Sequence, residues 1–255
     1  MTTRDPAERF TRRVGHYVKY RPSYPRGVID TLQNEGLLSS EDVVADVGSG
    51  TGKLAELFLE NGNRVMGVEP NRAMREAGEA ALGRHHGFMS VDGRAEATTL
   101  QAGSVNIVAA GQAFHWFDRQ TARKEFTRIL SPGGRILIVW NDRLVEATAF
   151  MKAYEDFLQK FGTDYRTVDH RRLGDAEIAF FFGPGGNRFR RLPNEQRLDR
   201  DGLRGRLLST SYIPDEGEPG FEEMLETLDR LFDDHQEGGF VTFIYSTRMY
   251  YGTAS

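Results

Sequence analysis

The sequence contains no cysteine and no long apolar run. Without cysteine the chain can form neither disulfide bonds nor thiolate nucleophiles nor cysteine-based metal sites. No run of about 18 apolar residues is present for a membrane span. The polar start, residues 1–13, carries both signs of charge and is unlike a secretory signal. We therefore expect a cytoplasmic protein with no membrane partner.

The chain also lacks the excess of basic residues that is typical of nucleic-acid-binding proteins. Its net charge is −4, so we expect no nucleic-acid partner. No metal-ligand spacing such as H-E-x-x-H and no internal repeat is present, and we predict no metal site. A length of 255 residues with 39% hydrophobic residues fits one large α/β domain, or such a domain with an insertion. We expect a monomer or a weak homodimer.

The sequence does contain a strand, a glycine turn and a helix in direct succession. Residues 43–47 are apolar and β-favouring, Gly48, Gly50 and Gly52 follow at every second position, and residues 53–60 have helical apolar spacing. Glycine accepts positive φ and lets a ligand approach the backbone, and a helix start offers unpaired N–H groups. The succession predicts a site for a nucleotide-like ligand.

Two phosphate-binding loops do not match this turn. A P-loop needs Gly-Lys-Ser/Thr, but Gly52-Lys53 is followed by Leu54, and Val47 stands where the first glycine belongs. A dinucleotide fingerprint reads G-x-G-x-x-G, whereas these glycines run G-x-G-x-G with Asp46 two positions before the first. A carboxylate suits an ammonium group and would repel a pyrophosphate.

The pattern Asp-x-Gly-x-Gly-x-Gly, from Asp46 to Gly52, resembles motif I of class I S-adenosylmethionine (SAM) methyltransferases. Residues 17–25 (Y-V-K-Y-R-P-S-Y-P), 112–117 (Q-A-F-H-W-F) and 130–139 (L-S-P-G-G-R-I-L-I-V) are similar to the methyltransferase-11 group. That group is of small-molecule type and includes relatives of trans-aconitate methyltransferase. The resemblance implies SAM as cofactor and in-line methyl transfer to a small-molecule acceptor. It also implies an α/β Rossmann-like fold with a seven-stranded sheet of order 3-2-1-4-5-7-6.

Changes in residue periodicity divide the chain into four predicted segments. They are residues 1–26, residues 27–141, a small cap over 142–187 inserted between strands 5 and 6, and a C-terminal part over 188–255. The resemblance implies that 27–141 is the SAM-binding core and that 1–26 is a lid over the cofactor, the alternative for 1–26 being a surface arm that packs its aromatic residues on the domain. The lid is expected to begin with a helix over 7–18. In the core we predict strand 5 over 135–140, after a turn at Ser131-Pro132-Gly133-Gly134. The cap carries the basic string His170-Arg171-Arg172 and the aromatic run 180–182.

The resemblance and the strand register together select the cofactor residues. Asp46 and the loop Gly48-Ser49-Gly50 are expected to hold the methionine part of SAM. Glu69 ends strand 2, 19 positions beyond Gly50, where a carboxylate bonds ribose hydroxyls. Arg94 stands where the family commonly has an adenine-binding Asp, which leaves that contact to Asp92, Glu96 or the main chain. The predicted cofactor-binding set is completed by Tyr20, Pro70, Met74, Ala95, Glu96 and Gln112.

The turn after strand 4 is expected to face the reactive end of the cofactor. Two roles are open to His115: a general base for the acceptor, or a packing residue that bonds to the backbone. Two other functions are also open, a SAM-binding protein with a non-methylating or regulatory role and an NAD-type oxidoreductase. The residues predicted to contact the substrate are Arg21, Tyr24, Trp116, Trp140 and Asn141.

Overall fold

The computed structural model describes residues 15–16, 18–163, 165, 175–183 and 185–253. The predicted helix over 7–18 falls largely outside these residues, and the string 170–172 falls wholly outside them. Within the described ranges the helices are α1 Gly27–Asn34, α2 Lys53–Glu60, α3 Arg72–Leu82, α4 Arg119–Ile129, α5 Ala149–Phe161, α6 Asp175–Phe182, α7 Arg200–Leu208 and α8 Phe221–His235. The strands are β1 Val43–Val47, β2 Arg64–Val68, β3 Phe88–Val91, β4 Val105–Gly111, β5 Leu130–Arg143, β6 Arg188–Leu198 and β7 Val241–Thr253.

The strands form one seven-stranded mixed sheet of order β3-β2-β1-β4-β5-β7-β6, which confirms the predicted order. The first strand pairs in parallel with β2 on one side and β4 on the other. Asp46, near the carboxyl end of β1, is in register with Gly67 and with Ala109. The strand order reverses between β1 and β4, and ligands of open α/β sheets bind at such a point.

The chain divides into two compact units, each assembled from separate segments. We call Ser23–Asn141, Leu173–Leu192 and Thr247–Ser255 the glycine-loop unit, and Met1–Pro22, Asp142–Arg172 and Pro193–Ser246 the helical unit. The first part of the predicted cap, 142–172, thus groups with the helical unit, and its second part, 173–187, groups with the glycine-loop unit. The four predicted segments stay predictions.

Two hydrophobic layers cover the sheet of the glycine-loop unit. Val43, Ala45 and Val47 pack into one layer and Val44 into the other, as the two-residue period of a strand requires. All of β1 is buried, which is typical of a central parallel strand. The first layer contains the rings Phe114, Phe126 and Trp140, and the second contains residues of α1 and α2, namely Val28, Ile29, Leu54 and Phe58.

The helical unit has a separate hydrophobic core built from α5, α7 and α8 with part of β7. Its members include Phe150, Tyr154 and Leu158 of α5, Leu203 and Leu207 of α7, Met224 and Leu228 of α8, and Phe243 and Tyr245 of β7. The apolar residues of α8 recur at helical spacing and form its buried face. In the described part of the chain, no helix is both long enough and apolar enough to cross a bilayer.

The prediction for strand 5 was wrong at its start. Instead of beginning after a turn at 131–134, β5 begins at Leu130 and includes the Ser-Pro-Gly-Gly sequence. The register against β4 shifts there, since Leu130 pairs with Val105 whereas Arg135 pairs with Ile107. The extra residues form an irregularity in the strand, and such irregularities accommodate glycine and proline.

Candidate active site

The glycine loop, residues 48–52, has a left-handed backbone at each of its three glycines. The φ angles are +71° at Gly48, +56° at Gly50 and +85° at Gly52, a region that only glycine enters without strain. A Cβ on Gly48 would lie 2.6 Å from the Cβ of Ala113. A Cβ on Gly50 would have only the Met74 methyl group near it, at 3.9 Å. Gly48 therefore allows close packing, whereas Gly50 presents its backbone to open space.

Glu69 ties this loop to the end of β2. Its Oε2 accepts a hydrogen bond from the Gly50 N–H at 2.9 Å, and its Oε1 accepts one from the Asn71 N–H at 2.8 Å. The Ser49 N–H donates to the last carbonyl of β2 at 3.2 Å. Burial raises the pKa of Glu69, and the two backbone N–H groups and the charge of Arg75 oppose the rise. The structure thus brings the predicted ribose acid to the predicted loop.

Asp46 is a buried carboxylate next to this loop. Only 1% of the residue is exposed, and neither carboxylate oxygen has a hydrogen-bond partner among the described residues. Burial raises the pKa of Asp46 to about 7, and the nearby charge of Glu69 adds to the rise. The backbone N–H of Ala55 opposes the rise only in part and makes no hydrogen bond of full geometry. A buried acid without a partner is the arrangement that a ligand cation would stabilise.

The start of α3 forms the next part of the site. Pro70 is exposed, and the side chain of Asn71 caps the helix by accepting from the Met74 N–H at 3.1 Å. Met74 is buried, with its methyl group toward Gly50. Gly78 lets the helix approach the loop, since a Cβ there would lie 3.3 Å from the Gly50 carbonyl oxygen. Met74, one of the predicted cofactor residues, therefore lies at the glycine loop.

The segment after β3 shows a structural use of one predicted cofactor residue. Ala95 is buried, and Glu96 Oε1 accepts a hydrogen bond from the Asp118 N–H at 2.8 Å. Arg94 is exposed, and its backbone pairs with that of Ala97. Glu96 therefore fastens this segment to the start of α4. Roles for Ala95 and Glu96 in cofactor binding stay predictions.

Gln112, directly after β4, has a strained backbone. Its φ is +54°, which is unusual for a residue with a Cβ. Its N–H donates to the Val139 carbonyl at 3.0 Å, and its side-chain Oε1 accepts from the Asn141 N–H at 2.8 Å. The preceding Gly111 is required because a Cβ there would lie 2.5 Å from the Tyr24 hydroxyl oxygen. Strain of this kind concentrates at functional sites.

Both polar atoms of the Asn141 side chain form hydrogen bonds within the protein. Its Nδ2 donates to the Ser23 carbonyl at 3.1 Å, and its Oδ1 accepts from the Thr247 hydroxyl at 2.5 Å. Asn141 and Thr247 are both buried. These bonds hold the chain just before α1, which includes Tyr24, against the end of β5. Contacts of Tyr24 and Asn141 with substrate stay predictions.

His115 lies in a 3₁₀ turn, Phe114–Trp116, between two indole rings. Its ring centroid is 4.6 Å from that of Trp116 and 5.1 Å from that of Trp140. Trp140 is buried, whereas 52% of Trp116 is exposed. The general-base and packing roles of His115 both stay open.

Tyr20 and Arg21 belong to the helical unit. The Tyr20 ring lies against Gly205, where a Cβ would be 2.0 Å from the ring, and the Tyr20 carbonyl accepts from Gln196 Nε2 at 2.9 Å. Arg21 Nη2 donates to the Ser209 carbonyl at 2.9 Å. The lid role and the ligand contacts of these two residues stay predictions.

Asp46, the glycine loop, Glu69 and Met74 therefore meet at the ends of β1 and β2. Two residues that support the candidate site, one at the glycine loop and one at the end of β5, were not predicted from the sequence. Gly78 allows the close approach of α3, and the only signal for it is a glycine inside an otherwise helical pattern. Thr247 bonds to Asn141, and it gave no signal, because a threonine in a strand is ordinary.

The chain is similar to known proteins over this region. Residues 45–138 match the family model described as a methyltransferase domain, the methyltransferase-11 family. An uncharacterized methyltransferase from Mycobacterium tuberculosis is 40% identical over 140 residues, 55% of each chain. An uncharacterized methyltransferase-like protein from Schizosaccharomyces pombe is 32% identical over 134 residues, 51% of this chain and 50% of that one. The chain thus matches about half the length of these relatives.

Solved structures share the fold across nearly the whole chain. A protein from Anaeromyxobacter dehalogenans, described as a type II methyltransferase, superposes with a TM-score of 0.68 at 21% identity over 92% of this chain and 98% of that one. A protein from Anabaena variabilis, described as a methyltransferase from an antibiotic biosynthesis pathway, gives a TM-score of 0.59 at 20% identity over 93% and 99%. Identity this low shows the class I methyltransferase fold alone.

Proposed function

We propose that this chain, whose residues 45–138 match the methyltransferase-11 family model, is a SAM-dependent methyltransferase that acts on a small molecule. One observation carries the proposal: the buried carboxylate of Asp46, unpaired among the described residues, beside a glycine loop that Glu69 holds. The closer relation to trans-aconitate methyltransferase and the cytoplasmic location stay predictions.

The charges of the side chains at the ends of β1 and β2 are complementary to SAM. An ionised Asp46 is costly in its buried position, and the ammonium group of an amino-acid ligand would offset that cost. A pyrophosphate would be repelled by Asp46 and Glu69 together. Glu69 has carboxylate lone pairs beyond the two that accept backbone N–H groups, and these can take ribose hydroxyls. Met74 supplies a polarizable wall for adenine.

When bound, SAM supplies a methyl group that is already activated on a positively charged sulfur. The residues of this chain then have to hold the two partners in line and exclude water. Orientation of this kind contributes on the order of 7–11 kcal/mol to lowering a barrier. The exposed Trp116 ring offers a face that attracts a cation, and His115 is the candidate to accept a proton from the acceptor.

The net charge of the chain also bears on which partners it can bind. The net charge of −4 favours neither nucleic acid nor an anionic membrane surface, which supports a small-molecule acceptor. We propose that the protein acts as a monomer or a weak homodimer.

A label-transfer assay tests the proposal. The protein is incubated with SAM carrying a radiolabelled methyl group and a small-molecule extract, and the products are separated. We expect label in a small product, and we expect the Asp46→Asn variant to lose most of this transfer. Asp42→Asn changes a nearby acid whose side chain bonds the Ser39 N–H, and this matched control should retain the transfer.

Two outcomes would contradict the proposal and support one of the two alternative functions. If SAM binds but no label leaves it with any extract, the chain is a SAM-binding protein without methyl transfer. If SAM does not bind and NAD does, the chain is an oxidoreductase.

A further inference from the structure

The helical unit contains a buried arginine that has no acidic partner among the described residues. Arg206, on α7, is only 8% exposed, and its Nε and Nη1 are buried without a hydrogen-bond partner in the described part of the chain. The other arginines of the same helix differ. Arg200 is paired with Asp233 and Arg204 with Asp229, and both arginine side chains are more than one-third exposed.

The groups around Arg206 are aromatic rings and phenol hydroxyls. Its guanidinium lies 5.9 Å from the ring centroid of Phe243. Burial lowers the pKa of Arg206, whereas the hydroxyl groups of Tyr245, Tyr154 and Tyr212 raise it by more, that of Tyr245 in part through a hydrogen bond. Tyr154 is 2% exposed, and its hydroxyl also has no hydrogen-bond partner among the described residues. Burial raises the pKa of Tyr154 to about 12, so this hydroxyl keeps its proton and can donate it to an acceptor.

Glu155, which follows Tyr154 on α5, already forms an ion pair with another arginine. Arg143, whose guanidinium lies 5.1 Å from the Tyr154 ring, is paired with Glu155. The Tyr165 hydroxyl completes that pair by accepting from Arg143 and donating to Glu155, each at 2.7 Å. Glu155 therefore balances Arg143, and no acid of the described residues compensates the positive charge of Arg206. Burying an unpaired ion is costly, and protein interiors normally pair such ions.

We propose that the helical unit binds a small ligand through a carboxylate group, which pairs with Arg206 and accepts a hydrogen bond from the Tyr154 hydroxyl. A single positive charge with no compensating acid among the described residues matches a monoanion better than a phosphate ester, which carries about 1.5 to 2 negative charges at pH 7. The rings of Phe243 and Tyr245 favour an aromatic or aliphatic body behind the carboxylate. This inference does not rest on the proposed methyl transfer.

Calorimetry and thermal shift without SAM test this site, so a failure here is distinct from a failure of the proposed function. The probes are benzoate, phenylacetate and butyrate, with benzamide as the neutral counterpart of benzoate and inorganic phosphate at about pH 8, where it is mostly the dianion. We expect at least one carboxylate to bind, benzamide and phosphate not to bind, and Arg206→Met to weaken the carboxylate by about tenfold or more. Arg200→Met, on the same helix, is the matched control and should leave binding unchanged.

Two further readouts separate a ligand site from a structural role. Tyr154→Phe removes only the hydroxyl and should weaken carboxylate binding while the protein stays folded. Arg206→Met should unfold at the same or higher urea concentration than the wild type, because it removes a buried charge that no acid of the described residues pairs with. If none of the three carboxylates binds the wild type at about 10 mM, or if Arg206→Met unfolds at lower urea concentration with binding intact, the site is disproved.

Discussion

Replacing Asp46 with asparagine should affect stability and cofactor affinity in opposite directions. The folded chain holds the pKa of Asp46 at about 7, against an ordinary value of 3.8, because the carboxyl is buried. A raised pKa stabilises the fold below the unfolded pKa, and this stabilisation is lost as pH rises through the folded pKa. Between pH 5 and about 7 the wild type should therefore lose about 1.4 kcal/mol of unfolding free energy per pH unit from this group.

The asparagine variant has no such proton to lose, so the comparison isolates this one group. Asparagine keeps the size of the aspartate side chain, and any cost of its buried amide is the same at both pH values. The stability advantage of Asp46→Asn over the wild type should grow by about 3 kcal/mol from pH 5 to pH 8. Urea unfolding of both proteins at the two pH values, without ligand, measures this double difference.

The same substitution should weaken SAM binding. It removes a charge-assisted contact worth roughly 1.5–3 kcal/mol, so the dissociation constant should rise by about tenfold or more. Titration calorimetry at pH 7.5 measures it. A variant that is equally destabilised at both pH values and binds SAM as the wild type does would refute the reasoning.

Three further substitutions test the site. Glu69→Gln should raise the dissociation constant for SAM by about tenfold or more, again by loss of a charged contact, and unchanged calorimetry would remove Glu69 from the site. Gly48→Ala should lower the melting temperature more than Gly103→Ala, because both glycines have positive φ but only Gly48 lacks room for a Cβ. Equal decreases in melting temperature would show that the alanine at position 48 strains the backbone but does not clash with Ala113. His115→Ala should lower turnover by about a hundredfold with SAM affinity unchanged, whereas wild-type turnover would assign His115 to packing alone.

Local sequence patterns predicted most of the sheet. The apolar run of β1, the glycines behind it and the helix over 53–60 are short-range signals, and the structure confirms these elements. The position of Glu69 followed from counting residues along one strand-helix-strand unit. In the structure Glu69 lies at the glycine loop, where its Oε2 accepts a hydrogen bond from the Gly50 N–H. Its role in ribose binding stays a prediction.

Features that depend on distant residues were not predictable. The burial of Asp46 and the rise in its pKa depend on what packs around β1, which no local pattern contains. The hydrogen bonds of Asn141 to Ser23 and Thr247 join residues more than 100 positions apart. The start of β5 was missed because Ser-Pro-Gly-Gly is typical of a turn, whereas Leu130, directly before it, pairs with Val105 of the distant strand β4.

The burial of the charged residue Arg206 was not predictable from the sequence either. In the sequence it is one of several arginines in a helix whose polar pattern gives no sign of burial. Its environment arises because α5 and β7 bring Tyr154 and Phe243 to it. The carboxylate site is therefore a hypothesis that only the folded chain suggests.

The central claim is that the glycine loop with Asp46 and Glu69 binds an amino-acid-bearing nucleoside and excludes a diphosphate. Calorimetric titration of the wild-type protein with SAM and, separately, with NAD tests it most directly. We predict heat from one binding site for SAM and none for NAD at the same concentration. Binding of NAD, or no binding of SAM, would contradict the account.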